Sequence, residues 1–107
     1  MRGTLRYEQA IRVVPCRMVI GQSGGVVMAQ QEALAYLIMA QVRPDRRSER
    51  REQGSLRPRE RRLLFPRGKV PTRQGDHLYF GEDDRCWRCM QRRDYPEHTE
   101  LEAEVEG

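Results

Sequence analysis

Lysine is nearly missing from this chain: 19 of its 20 basic residues are arginine, and Lys69 stands alone. Arginine binds phosphate bidentately and stacks on bases, where lysine offers only a point charge. Cysteine is scarce too, and its odd count of three excludes a framework of paired disulfides. No apolar run approaches the roughly 18 residues that cross a bilayer. Arg2, Arg6, Arg12 and Arg17 break up the first twenty residues, so no signal peptide is evident and no membrane partner is expected. Aromatic residues make up 7% of the 107 and hydrophobic ones 37%, against 34% charged. With a mean hydropathy of -0.87, so short a chain is expected to need a metal or a partner beside a thin core.

What is abundant is charge, laid out in blocks. Residues 1–42 carry four Arg against Glu8 and Glu32. Residues 43–73 carry eleven Arg and Lys69 against four acids, and residues 74–107 four Arg against ten acids. This order suggests a segment that binds polyanions, followed by an acidic region that ends in a tail at 99–107.

Between residues 1 and 27, Leu5, Tyr7, Ile11, Val13, Val14, Met18, Val19 and Ile20 can supply one or two strands. Pro15 interrupts them and Gly24-Gly25 ends them. Ser23-Gly24-Gly25 is also what a ribosome-binding sequence would encode, a few codons before Met28. Residues 1–27 are therefore read alternatively as an extension ahead of a start at Met28. Residues 28–42, MAQQEALAYLIMAQV, read as an amphipathic helix of strong helix formers. Leu34, Leu37, Ile38 and Val42 share its apolar face, and Pro44 closes it. That face is expected to pack in a core or to dock a partner, a second copy included. Residues 43–73 read as an Arg-rich linker, extended until a partner orders it.

The chemistry-bearing pattern lies in residues 74–98. His77 and His98 are the only histidines, and each stands nine positions from one cysteine of Cys86-x-x-Cys89. Two thiolates and two imidazoles complete the tetrahedral set that zinc prefers. Leu78-Tyr79-Phe80, with a turn at Gly81–Asp84, supplies a short β hairpin, and Cys16 is an alternative fourth ligand. Four protein ligands close the ion, and no acid–base pair remains, so the zinc is expected to be structural and the chain not an enzyme. Residues 77–98 resemble the short H-x(n)-C-x-x-C-x(n)-H zinc motifs of small proteins of actinobacteria and their phages. The resemblance implies zinc and such a source, in keeping with the arginine bias, and it implies no activity. The cytoplasm is the expected location, or the host cytoplasm or virion if a phage encodes the chain.

The sequence thus predicts a small α+β protein: one amphipathic helix, an Arg-rich extended linker and a C-terminal zinc knuckle with a short β hairpin. The function it suggests is nucleic-acid binding, to RNA or single strands rather than a specific duplex. Arg46, Arg47, Arg50, Arg51, Arg57, Arg59, Arg61, Arg62, Arg67, Lys69 and Arg88 would meet phosphates, and Trp87 would stack on bases. If the acidic tail masks these arginines, removing residues 99–107 tightens binding. The alternative is an interaction or structural module, such as a virion part or an adaptor on a host machine, that docks through residues 28–42.

Overall fold

The computed structural model describes residues 8–45 and 59–106. Among them, in chain order, run β1 (Glu8–Val14), β2 (Cys16–Ile20), β3 (Val26–Gln30), β4 (Tyr36–Pro44), β5 (Arg61–Pro66), β6 (His77–Phe80), β7 (Trp87–Asp94) and β8 (Thr99–Val105). Six of them close into a barrel in the order β1-β4-β5-β8-β7-β6, and β6 pairs back onto β1. Every barrel pairing is antiparallel. β2 and β3 form a separate two-stranded arm, inserted between β1 and β4.

The expected α+β fold is therefore corrected to an all-β one. No α-helix occupies residues 28–42, which instead hold the end of β3, a single 3-10 turn at Glu32–Leu34, and most of β4. Leu34, Leu37, Ile38 and Val42 do sit at helical spacing, but Tyr36, Ile38, Ala40 and Val42 sit at spacing two. The second pattern wins. Ile38 and Ala40 enter the core and Tyr36 and Val42 pack against it, while Leu37 and Met39 point outward. Local helix propensity is worth tenths of a kcal/mol per residue, less than closing a barrel gains in buried surface.

Residues 99–107, read as an acidic tail, contain β8. Thr99, Leu101 and Ala103 alternate with Glu100, Glu102 and Glu104, the period-two pattern of a strand with one face inside. β8 lies between β5 and β7 and pairs with both. The barrel interior is filled by Ile11, Val13, Ile38, Ala40, Leu64, Leu78, Phe80, Trp87, Cys89, Leu101 and Ala103, with Val70 beside them.

An arginine closes the barrel at each end. Arg62, on the inward side of β5, lies 4.7 Å over the Phe80 ring and 4.4 Å over Trp87, whose rings meet edge to face. At the other end a register shift between Cys89 and Gln91 bulges β7 and sets Arg92 opposite Leu101. The Arg92 guanidinium donates to the carbonyls of Val70 and Thr72 and to both Asp94 oxygens.

Arg92, then Thr99 and Lys69, hold the Asp94 carboxyl at about 2, below its ordinary 3.8, against a smaller opposing push from burial. A carboxylate depressed in the fold contributes stability that is complete above its unfolded pKa and lost as pH falls through the folded one. The melting temperature is therefore expected to drop between about pH 4 and pH 2. Asp94→Asn should flatten that drop, and equal acid sensitivity in both proteins would contradict it.

Candidate functional site

The four residues expected to bind zinc do not meet. Trp87 and Cys89 face the core from β7, whereas Cys86 stands half-buried just before the strand. Cys-x-x-Cys grips one ion from a turn, and here Cys89 lies in the strand and faces inward. His77 lies on β6, opposite Arg88 of β7, with its Nδ1 against the Gln30 amide. His98 sits in the β7–β8 turn, stacked on Tyr95 at 4.7 Å. Glu106 N–H meets the Cys86 carbonyl, so that turn lies eight residues along the β8 ladder from Cys86, roughly 27 Å at about 3.4 Å per residue. Burial, and then Asp76, push the Cys89 thiol up to about 12. Cys16, the alternative ligand, is half-buried where the arm leaves the barrel, and burial raises its thiol as well. Among the described residues no group of three or more His, Cys, Asp or Glu is placed to hold a metal ion. Native mass spectrometry after equimolar zinc is expected to give the metal-free mass. One bound zinc, lost in both Cys86→Ser and His98→Ala, would contradict this geometry.

The residues expected to meet nucleic acid divide in two. Arg46, Arg47, Arg50, Arg51 and Arg57 lie outside the described residues. Of the others, Arg59 is exposed, while Arg61 pairs with Glu104 at 3.2 Å, Lys69 with Asp94 at 3.5 Å, and Arg88 with Glu106 at 2.7 Å. Arg67 donates to both Glu8 oxygens, at 2.6 to 3.1 Å. Arg62 is the internal plug, and Trp87 is fully buried. Trp87 is therefore no stacking platform for bases. Residues 8–45 and 59–106 hold 13 basic against 14 acidic side chains, so the surplus positive charge belongs to residues 1–7 and 46–58, with seven Arg against two Glu.

The expected docking residues are split as well: Leu34 and Leu37 are exposed, Ile38 is core, and Val42 packs against the core. What the sequence reading missed is the arm. Met18 pairs with Met28 and Ile20 with Val26, which sets four apolar side chains on one face, and Val27 is exposed on the other. Ile20, the most open of them, is 77% exposed. The tip turns through Gly21–Gly25, where Gly24 takes a positive φ of 91° that favours glycine. At the root Gln31 N–H donates to the Pro15 carbonyl (2.8 Å), and Cys16 N–H to buried Asp76 (3.3 Å). The Gln30 amide donates to the Tyr79 hydroxyl at 2.8 Å, which fastens the arm's base to β6. The available signal was charge: residues 15–31 contain one charged side chain, Arg17, in a chain that is 34% charged.

A two-stranded ribbon alone is marginal in water, and five large apolar side chains on one stand on the order of 500 Å² in solvent. An apolar surface of that size is often a functional one.

No protein-family model matches the chain, and a search of curated proteins finds no similar sequence. No helix among the described residues is long and apolar enough to cross a membrane.

Proposed function

We propose that this chain is a non-enzymatic interaction module, a component of a larger protein assembly that it enters through the β2–β3 arm. The observation that carries this reading is the arm itself: Met18, Ile20, Val26, Val27 and Met28 in solvent on an almost uncharged hairpin. Burying such side chains against a partner gains roughly 25 cal/mol per Å², so the arm is worth several kcal/mol before the costs of association. The barrel's role is to hold the arm by its root.

The test is the size of the chain as its native cell makes it. It is expected to migrate in a complex well above its own 12.6 kDa. The double variant Ile20→Asp, Met28→Asp should migrate as the free chain with an unchanged barrel melt. Free migration of the natural chain would overturn the reading.

Charge favours a second reading, nucleic-acid binding through residues 1–7 and 46–58. On either side of residues 46–58, Asp45 N–H donates to the Arg61 carbonyl at 3.0 Å. Binding of this kind weakens steeply with salt. Replacing Arg46, Arg47, Arg50 and Arg51 by Gln should flatten the salt slope, while replacing ion-paired Arg61 and Arg67 should leave it unchanged. Absence of binding to RNA and DNA at low salt removes this reading.

A further inference from the structure

Resting on the docking role of the arm, we propose that its partner is a second copy of this chain, engaged head to tail. The receiving surface is the outer face of β1 and β4. Leu37 and Met39 are exposed there at 67% and 40%, Leu34 is exposed in the turn just before, and Ala10 lies opposite Met39. The chain thus carries two uncovered apolar surfaces, and both stand in solvent in the same molecule, so neither covers the other within one copy. A copy supplies the missing cover for each.

The charges fit as well. The arm from Met18 to Gln30 carries none. The receiving face is bordered by ion pairs that are already neutralised, Arg12 with Glu32 at 2.9 Å and Arg67 with Glu8 at 2.6 Å. An uncharged arm docking there strands no charge. Arm and face together present on the order of 1,000 Å² of surface, which a polar rim raises to the lower end of specific interfaces. A head-to-tail contact also leaves one arm and one face open at the ends, so association continues beyond two copies.

Sedimentation of the purified full chain from about 1 μM to about 1 mM tests this, the range in which an interface of this size is populated. The expected result is a mass above 12.6 kDa that rises with concentration. The arm variant Ile20→Asp, Met28→Asp and the face variant Leu37→Asp, Met39→Asp should each sediment as monomers with barrel melts close to the natural one. Mixed in equal amounts they should form a two-chain particle, because the mixture restores one intact arm and one intact face. A natural chain that stays monomeric throughout overturns the proposal. So does a mixture that stays monomeric beside a multimeric natural chain, and so does a face variant that still pairs with itself, which would mean an arm-to-arm contact. A monomeric purified chain that still migrates in a native complex would defeat self-docking and leave the interaction role standing. Free migration in the cell would defeat the interaction role itself.

Discussion

Trp87→Ala is expected to cost about 3–5 kcal/mol, the range for deleting a large aromatic ring from a core. Trp87 is the largest fully buried side chain and fills one end of the barrel. Its removal takes the edge-to-face partner from Phe80 at 5.3 Å and half of the aromatic bed beneath Arg62. It also removes the indole N–H that donates to Asp83 at 3.3 Å. Arg62 would then lie over a void, an arrangement that collapses poorly because a guanidinium cannot fill it without losing solvent or partners. In a domain of this size such a loss lowers the melting temperature by roughly 15–30 °C, enough to leave much of the protein unfolded at 37 °C. Trp87→Phe should lose less. A change under about 1 kcal/mol would mean that the ring stands in solvent as a base-stacking platform.

Deleting residues 99–107 is expected to abolish cooperative unfolding altogether. β8 bridges β5 and β7, and without it the barrel has two open edges and no Leu101 or Ala103 in its core. Thr99 goes too, and its hydroxyl serves both Val70 N–H at 3.4 Å and Asp94 at 3.2 Å. Circular dichroism and a urea titration suffice to check this. A truncated chain that keeps a sharp transition, and binds nucleic acid more tightly, would restore the picture of a detachable acidic mask.

Some of this fold was legible in the residues. Pro15 separates β1 from β2, and the glycines at 24–25 turn the arm, as their chemistry requires. Leu78-Tyr79-Phe80 is a strand followed by a turn. β8 was legible in its period, since Thr-Glu-Leu-Glu-Ala-Glu-Val alternates without a break, but three acids in seven residues are equally the composition of a solvated tail. Residues 28–42 were ambiguous in principle, since Ile38 and Val42 satisfy both the helical and the strand spacing. Only closure of the barrel, a long-range event, separates the two. The zinc pattern was legible as a spacing, but a spacing does not fix local conformation: Cys86-x-x-Cys89 grips an ion from a turn, and here Cys89 lies in β7 and faces the core. Beyond Cys16 and Arg17 at its root, the arm was invisible to motif reading, since it has no other chemistry-bearing residue type. Its mark is a lack of charge.

Amide hydrogen exchange over residues 16–30, compared between the chain in its native complex and the free Ile20→Asp, Met28→Asp variant, tests the central claim most directly. Docking predicts that the arm's amides exchange fast in the free variant and slow in the complex, with β1, β4, β5, β7 and β8 protected in both. Arm amides that exchange equally fast in both states, with slowing confined to residues 46–58, would place the contact on the arginine-rich segment and contradict the account.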